Sequence, residues 1–289
     1  MKEGIVFLGP LGATFSADAY NVLAKKFGTP ELNNSVTYIS VKANQDIIST
    51  LVNSGFNYGV IAMETMAGGK VVDPVESFIE LINCGKDICP ISVIGAIKME
   101  IHFALMTKTG VPINGIQKVL CHEKTLGACR KGIEKAGFVV ETRSSNGLAA
   151  LEVYSSKETN LAALGPISAA KKYGLSVLND KFEDGKAVTT FFLLGSEELK
   201  PKILEHNRAL IIFRTKHNVG SLVEALLPFR EENLSLIHIH SAYAGKTEYN
   251  FAIEIELNKN QLSDFDRAIE KFRLAVSKCL VFGPFGLVL

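Results

Sequence analysis

Short apolar runs alternate with amphipathic stretches from residue 4 to residue 194, and this alternation constrains the fold more than any other feature. Runs such as residues 4–8 and 161–164 have the length of buried strands, and the stretches between such runs carry helical periodicity. The alternation predicts an α/β fold with mostly parallel sheets that bind ligands at the carboxyl ends of their strands. One sheet does not easily hold so many strands in order. We therefore predict two lobes with a cleft between them, with chain crossings near residues 75–92 and 178–188.

A polar segment over residues 196–207, which contains Pro201, ends this alternation and predicts a linker. After it the order becomes strand, helix, strand, strand, helix, strand, which is the split βαβ arrangement of ferredoxin-like domains. Small domains of this shape often bind a regulator or a second copy of themselves. We predict a two-lobed domain over residues 1–196 and a βαββαβ domain over residues 207–289. The first lobe is expected at about residues 1–80 with 178–196, and the second at about residues 81–177.

The charges of the chain are almost balanced. There are 31 Lys and Arg residues against 30 Asp and Glu residues, a formal net charge of +1. A chain without a broad basic surface lacks the field that a nucleic-acid backbone requires, so we expect a small-molecule ligand. No apolar run approaches the roughly 18 residues of a membrane span, and the apolar N-terminal stretch is too short for a signal peptide. These features predict a cytoplasmic protein that binds neither nucleic acid nor membrane.

The cysteines and histidines give no pattern typical of a metal site. The five cysteines are scattered, without C-x2-C spacing, and an odd number argues against a disulfide framework. Buried thiols are the expected state. His238 and His240 lie two residues apart and share one face of a predicted strand, so a metal pair stays an alternative to a half-exposed strand. No third ligand stands at a usable spacing, and we predict no metal and no other cofactor.

The segment at residues 9–16 predicts a place for an anion. A strand-like run leads through the turn at residues 9–12 into an alanine-rich helix, with Thr14 and Ser16 near its start. The first N–H groups of such a helix are unpaired and face the end of the strand, which suits a carboxylate. An ordinary strand-to-helix connection explains the same residues equally well.

The sequence contains five motif-like segments, at residues 9–16, 58–71, 119–129, 173–178 and 184–191. In their order and spacing, these segments resemble the prephenate dehydratase family with its C-terminal ACT regulatory domain. The first resembles the family's G-P-x-G-T-F-S, with one additional residue, and the second resembles V-P-I-E-N-S-x-x-G-x-V and keeps its Glu. The third matches V-x-S-H-P-Q-A-L-x-Q-C in its Val, His, Leu and Cys, the fourth matches Y-G-L-x-V-L, and the fifth stands where the family has an Asp before N-x-T-R-F. The resemblance covers nearly the whole chain.

The resemblance implies a two-lobed catalytic domain like a periplasmic binding protein, followed by an ACT domain, in a homodimer or homotetramer. It implies the decarboxylation of prephenate with loss of the ring hydroxyl, which gives phenylpyruvate, carbon dioxide and water without metal or organic cofactor. Prephenate is a dicarboxylate, so its site requires anion-binding donors and a group that hydrogen-bonds the departing oxygen. An amino-acid effector at the ACT domain is the other partner that the resemblance implies.

The family's functional residues carry over by position. Thr189 matches the catalytic threonine, and we expect its hydroxyl to hydrogen-bond the leaving oxygen because it is too weak an acid to donate the proton outright. Glu64 is the second catalytic candidate, with the alternative that it holds loops or orients Thr189. The candidate substrate-binding residues are Thr14, Ser16, Thr65, Ser145, Asn146, Thr190 and Phe191. The candidate effector-binding residues, which resemble the family's P-G-A-L loop, are Asn218, Val219, Gly220, Ser221 and Leu222.

The sequence departs from the family where the substrate carboxylates bind. Thr190 replaces a substrate-binding arginine, residues 65–66 replace an Asn-Ser pair, and Asn146 replaces a threonine. A threonine hydroxyl does not reproduce a bidentate guanidinium–carboxylate pair, and the loss of one charge-assisted bond costs roughly 1.5–3 kcal/mol. In the ACT domain, residues 240–243 replace the family's E-S-R-P motif. The candidate substitute cations are Lys70, Lys124, Arg143 and Lys186.

Two other functions stay open on the sequence. One is a relative that acts on another prephenate-like acid, such as a prephenate decarboxylase of secondary metabolism; Thr190 favours it, and the retained Thr189 argues against it. The other is a non-catalytic sensor of a small acid, because two-lobed clefts serve as ligand clamps as readily as active sites.

Overall fold

The computed structural model describes residues 2–33, 35–65, 69–70, 72–84, 89–199, 207–245 and 248–288. The chain forms two compact units. The first comprises residues 1–71 and 97–193, and the second comprises residues 72–96 and 194–288. The second unit therefore contains a segment from the first third of the sequence as well as the C-terminal strands. No helix in these described ranges is long and apolar enough to traverse a bilayer.

Strands and helices alternate along the chain. Up to Gly195 they are β1 (Lys2–Leu8), α1 (Phe15–Phe27), β2 (Tyr38–Val41), α2 (Asp46–Ser54), β3 (Phe56–Thr65), β4 (Gly69–Lys70), α3 (Val72–Leu81), β5 (Ser92–Glu100), β6 (Ala104–Thr107), β7 (Lys118–His122), α4 (Glu123–Ala136), β8 (Val139–Arg143), α5 (Asn146–Ser155), β9 (Leu161–Gly165), α6 (Ile167–Tyr173), β10 (Ser176–Asn179) and β11 (Val188–Gly195). The remaining elements are β12 (Arg208–Thr215), α7 (Ser221–Glu231), β13 (Ser235–Gly245), β14 (Glu248–Glu256), α8 (Leu262–Ala275) and β15 (Val276–Val288).

The first unit contains two sheets. In one, β1 lies between β2 and β3, is parallel to both, and β11 adjoins β3 on its other side. In the other, the order is β10-β6-β9-β7-β8, and β7 is parallel to β8 and β9. Helices α4 and α5 make the long crossovers that parallel pairing requires. The far edge of this sheet departs from parallel pairing, because β6 and β10 are antiparallel to their neighbours.

The junction of β1 and α1 shows how the sequence dictates local structure. Val6 and Phe7 are fully buried, as expected for a strand covered on both faces. The Thr14 hydroxyl caps α1, because its Oγ1 accepts the Ala17 N–H at 3.2 Å. The same hydroxyl donates to the Leu8 carbonyl at 2.8 Å. The start of the helix is therefore bonded to the end of the strand.

Asn44 does not cap α2, although asparagine is a favoured residue at helix starts. Helix α2 begins at Asp46 after Gln45, whose side chain makes no capping bond. The Asn44 amide donates to the Ala62 carbonyl at 2.9 Å and accepts the Ala62 N–H at 3.2 Å. Asn44 therefore extends the edge of β3, because a side-chain amide offers the same donor and acceptor as a neighbouring strand.

The C-terminal elements of the second unit follow the predicted order β12-α7-β13-β14-α8-β15. Strands β15, β12, β14 and β13 are adjacent and antiparallel in that order. Helices α7 and α8 pack on a core in which the Phe272 ring lies 5.1 Å from the rings of Phe213 and Phe229. Helix α3 also packs on these strands, with the Phe78 ring 5.0 Å from that of Phe282. The segment around α3 is thus part of this unit's core.

Strand β15 continues past an internal glycine. It begins at Val276 and runs through Gly283 to Val288. Gly283 has φ +125°, and an added Cβ would lie 3.1 Å from Ala209 Cα on β12. Only glycine combines this backbone angle with such a close approach, so the strand passes a point where most residues would end it.

The predicted linker is described only in part. Residues 197–199 form a 3-10 turn, and residues 200–206 lie outside the described residues. The predicted domain and lobe boundaries stay predictions.

Candidate functional site

The starts of helices α1 and α5 meet in the first unit. A Cβ added to Gly147 would lie 2.6 Å from both the Ala13 carbonyl oxygen and Pro10 Cδ, so the start of α5 touches the turn before α1. Ser145 caps α5, since its Oγ accepts the Leu148 N–H at 3.1 Å. The predicted substrate residues Thr14, Ser145 and Asn146 are therefore neighbours in space, although they are far apart in sequence.

These helix starts offer unpaired donors. Thr14 and Ser145 each satisfy one N–H of the helix that follows. In the described part of the chain, the backbone N–H groups of Phe15, Ser16, Asn146 and Gly147 have no hydrogen-bond partner. A helix N-terminus carries a partial positive charge, and two of them side by side favour a negatively charged ligand.

Asn146 links the start of α5 to the start of α4. Its Oδ1 accepts the His122 N–H at 2.7 Å and the Thr125 hydroxyl at 3.0 Å. Because a backbone N–H can only donate, these bonds fix which end of the amide is oxygen. The amide nitrogen has no partner among the described residues, so it is a further donor at the site. Asparagine thus supplies a donor where the family has a threonine.

Helix α6 begins next to α1. The Ser168 hydroxyl lies 2.7 Å from Asp18 Oδ2, and burial raises the pKa of the Asp18 carboxyl, against the opposing effects of Ser168 and Lys171. Asp18 is in the first turn of α1. A carboxyl this close to the helix starts opposes their positive charge when it is ionised, and its raised pKa reduces that opposition at acidic pH.

We expect Asp18→Asn to stabilise the protein increasingly as the pH rises. The unfolded chain ionises Asp18 near its ordinary pKa of about 3.9. The folded chain ionises it at higher pH, so the free energy of unfolding falls over that window. The asparagine variant lacks this loss. Urea unfolding of both proteins at a series of pH values from about 3.5 upward measures the difference. A difference that does not grow with pH would contradict the assigned burial.

Thr189, Thr190 and Phe191 lie on β11. All three are buried, with exposures of 6%, 7% and 2%. Alternate residues of a strand point to opposite faces, so Thr189 shares a face with Phe191 and not with Thr190. The predicted grouping of Thr190 with the other substrate residues stays a prediction.

The start of β11 lies near the start of α1. Ala187, two residues before Thr189, accepts the Ile101 N–H at 2.8 Å. Two residues after Ile101, the Phe103 ring packs edge-on against Phe15 at 5.3 Å. Phe15 is the first residue of α1. These contacts place the strand that carries Thr189 close to the unpaired donors of the helix starts.

Glu64 and Thr65 end β3. Their backbones pair with Lys70 and Gly69 of β4. The side chains of Glu64, Thr65 and Lys70 are outside what the structure describes, as is Met66. Their predicted roles stay predictions.

Arg143 is engaged by carboxylates. Its Nε lies 2.5 Å from Glu152 Oε2, and its Nη2 lies 3.1 Å from Glu141 Oε2. These bonds raise the pKa of the guanidinium. Lys124 and Lys186 are exposed. Arg143 is therefore a poor substitute for the missing arginine, and the helix starts are the better source of positive potential.

Asp184 caps a break in α4. This helix is interrupted at Cys129, where φ is −121°. Just beyond it, the Asp184 carboxylate accepts the N–H of Lys131 at 2.8 Å and that of Gly132 at 3.1 Å. The aspartate of the matched motif is thus the N-terminal cap of the second half of α4.

We expect Asp184→Ala to lower the free energy of unfolding by about 0.5–2 kcal/mol, because the two N–H groups lose their cap. Urea denaturation measures the loss. Asp180→Ala is the matched control: Asp180 is exposed four residues earlier, and its change should stay within about 0.5 kcal/mol. Equal effects of the two substitutions would contradict the capping role.

Among the described residues, no group of three or more His, Cys, Asp or Glu side chains is arranged to hold a metal ion. Cys121 and Cys129 are buried. Burial raises the pKa of Cys121 to about 11. The pKa of Cys129 is raised further, mainly by burial and to a smaller extent by nearby negative charges such as Asp184. These two cysteines are therefore protonated thiols at neutral pH.

The predicted effector residues line a groove of the second unit. The groove has a volume of about 400 Å³ and includes Asn218, Val219, Ser221 and Leu222. Gly220 precedes α7 in a left-handed conformation, with φ +83°. The opposite wall was not predicted from the sequence, because β14 is distant along the chain; it includes Glu248, Tyr249 and Phe251.

A family model described as prephenate dehydratase matches residues 5–199. The prephenate dehydratase of Methanocaldococcus jannaschii is 30% identical over 275 residues, which cover 94% of each chain. The bifunctional chorismate mutase/prephenate dehydratase of Stutzerimonas stutzeri is 31% identical over 257 residues. That alignment covers 86% of this chain and 64% of the bifunctional protein, so the chain spans less than two thirds of that relative.

The solved structures agree on the fold. The prephenate dehydratase of Arthrobacter aurescens, in complex with L-Phe, superposes with a TM-score of 0.79 at 19% identity. The alignment covers 97% of this chain and 88% of that one. The mixed α/β architecture is therefore confirmed, and on the family match and the relatives this chain belongs to the prephenate dehydratase family.

Proposed function

We propose that this protein is a lyase that converts prephenate to phenylpyruvate, carbon dioxide and water in phenylalanine biosynthesis. The observation that carries the proposal is the contact of α1 with α5 at Gly147. It gathers unpaired backbone donors near the strand that carries Thr189. The family membership and a relative of the same length support the same reaction. The predicted cytoplasmic location belongs to this proposal and rests on the sequence alone.

The reaction requires charge stabilisation at two places. The helix N-termini and the Asn146 amide bind substrate carboxylates through N–H donors. When the ring carboxylate leaves as carbon dioxide, the electrons of the broken C–C bond enter the ring. The C–O bond of the ring hydroxyl then breaks with its electron pair on the oxygen, and the departing hydroxide takes up one proton from the solvent to become water. The Thr189 hydroxyl donates a hydrogen bond to that oxygen as negative charge develops on it.

Incubation with prephenate at neutral pH, followed by the ultraviolet absorbance of phenylpyruvate in alkali, tests the proposal. We expect enzyme-dependent formation of phenylpyruvate with release of equal amounts of carbon dioxide. A sample without enzyme controls for spontaneous aromatisation. If no product forms at high enzyme concentration, the protein is not a prephenate dehydratase.

A second candidate substrate follows from the uncharged residue at position 190. The analogue of prephenate in which an ammonium replaces the side-chain keto group has a net charge of −1 instead of −2. A site that has lost a guanidinium has less positive charge with which to offset a dianion. The ratio of kcat/KM for the two substrates decides between them, and a ratio that favours the ammonium compound supports this candidate.

We expect Thr190→Arg to raise kcat/KM for prephenate by about one to two orders of magnitude, because it restores one charge-assisted carboxylate contact. Thr190→Met is the control for side-chain length without charge. Steady-state kinetics of phenylpyruvate formation measure both. No gain with arginine would mean that other groups already fill its place.

An amino-acid effector is proposed for the groove of the second unit. Backbone N–H groups at the start of α7 suit a carboxylate, and Tyr249 and Phe251 suit an aromatic side chain. Thermal-shift measurements with individual amino acids test this binding, and the absence of any stabilisation would exclude it. A homodimer or homotetramer is also proposed, on the basis of the exposed apolar residues Val223 and Leu227 on one face of α7 and Val219 just before this helix. Analytical ultracentrifugation tests this assembly.

A further inference from the structure

Two stretches of chain connect the two sheets of the first unit. The first crossing segment, residues 101–103, leads from β5 to β6, and the second crossing segment, residues 180–187, leads from β10 to β11. The segments are bonded to each other, since the Ile101 N–H donates to the Ala187 carbonyl at 2.8 Å. A change in the relative placement of these two sheets therefore acts on this pair of segments.

Glu183 joins the segments with its side chain. Its Oε1 lies 2.7 Å from His102 Nδ1, and its Oε2 accepts the Phe103 N–H at 2.9 Å. The Phe103 carbonyl in turn accepts the Phe182 N–H at 2.9 Å. The Glu183 side chain is 8% exposed, against 39% for His102. A nearly buried carboxylate on the second segment thus binds two consecutive residues of the first.

The bonds from Glu183 to His102 and Phe103 are connected to the candidate site on two sides. On one side, the second segment continues directly into β11, and Thr189 follows Ala187 by two residues. On the other side, Phe103 packs against Phe15, the first residue of α1. Glu183 therefore fixes the strand that carries the candidate catalytic hydroxyl relative to the helix start that carries the anion donors.

We propose that Glu183, through His102 and Phe103, is a positioning residue for Thr189. The inference rests on the proposed function, because it assigns Thr189 the leaving-group hydrogen bond. A hydrogen bond to a developing charge depends steeply on alignment, and a displacement of about 1 Å can cost a hundredfold in rate. Glu183 itself need not touch the substrate.

Kinetics of three variants test the proposal. We expect Glu183→Ala to lower kcat about 10- to 100-fold, with KM within about threefold of the wild type. Glu183→Gln should restore most of kcat, because its amide oxygen still accepts the Phe103 N–H and the side chain keeps its length and shape. His102→Ala removes only one of the two bonds and should give an intermediate kcat. It also keeps the test possible if Glu183→Ala does not fold.

The matched control is Asp180→Ala, in the same segment and exposed, which should keep the wild-type kcat. The double variant of His102 and Glu183 should lose less than the sum of the single losses, because the two residues share one bond. Either of two results would overturn the proposal. The first is that Glu183→Ala, measured below its unfolding temperature, has the same kcat as the wild type. The second is that Glu183→Gln loses as much kcat as Glu183→Ala.

Hydrogen exchange gives a readout that does not depend on turnover. Glu183→Ala should speed amide exchange at Phe103 and at the start of β11 while leaving β9 unchanged, and Glu183→Gln should not. If amide exchange in Glu183→Ala is the same as in the wild type, Glu183 does not hold the two segments together. If wild-type protein forms no phenylpyruvate, the proposed function fails, while the exchange data still decide whether Glu183 holds the strand.

Discussion

Thr189→Val is expected to lower kcat for phenylpyruvate formation by about 10²–10³-fold, with a loss of stability of no more than about 1–3 kcal/mol. Removing one donor aimed at a developing charge has an effect of this size. Valine matches threonine in shape and suits a strand, so the buried site on β11 keeps its packing apart from the hydroxyl. Steady-state kinetics with prephenate and thermal unfolding of the variant measure the two quantities.

Thr189→Ser is the matched control, because serine keeps the hydroxyl and loses only a methyl group. Its kcat should stay within about tenfold of the wild type. A valine variant that turns over prephenate at the wild-type rate would show that the hydroxyl takes no part in the reaction, and the proposed mechanism would fall.

Gly147→Val is expected to damage both stability and activity. An added Cβ would lie 2.6 Å from the backbone oxygen of Ala13, in the turn before α1, so α5 has to move away from α1. Overpacking of this kind costs about 1–3 kcal/mol. The same movement separates the two sets of helix N–H donors, so kcat/KM should fall about 100-fold. Urea unfolding and prephenate kinetics measure the two effects.

Gly185→Ala is the matched control for the glycine substitution. A Cβ at Gly185 meets nothing within 4 Å, although this residue lies only four positions before Thr189. We expect both stability and kcat/KM close to those of the wild type. A Gly147→Val variant as active as this control would mean that the contact between the helix starts does not organise the site.

Local signals predicted much of the fold. The apolar run of β1, the glycine turn and the alanine-rich stretch after it predict a strand, a turn and a helix, and the structure contains all three. The βαββαβ order of the C-terminal elements was predicted in the same way. These features depend on residues within a few positions of each other, where periodicity is informative. The cap that Thr14 provides for α1 was not predicted.

Contacts between distant segments were not predicted. Asp184 caps the N–H groups of Lys131 and Gly132, which lie more than 50 residues earlier, and Gly147 touches the turn before α1. Periodicity shows which face of a helix is buried, but it does not show which helix ends meet. One feature of the sequence could have drawn attention to Glu183, because this residue immediately precedes Asp184 of a matched motif. Its partners could be identified only from the crossing segments.

The division of the chain into units has a consequence for its biosynthesis. Residues 72–96 belong to the second unit, yet they emerge from the ribosome before the rest of the first unit and long before β12 and β15. Phe78 thus has to wait for Phe282, its packing partner, while the intervening chain is translated. For the same reason, a chimaera that takes residues 194–288 from another family member would pack residues 72–96 against a sheet of different sequence. These two parts of the second unit are therefore expected to have evolved together rather than as interchangeable modules.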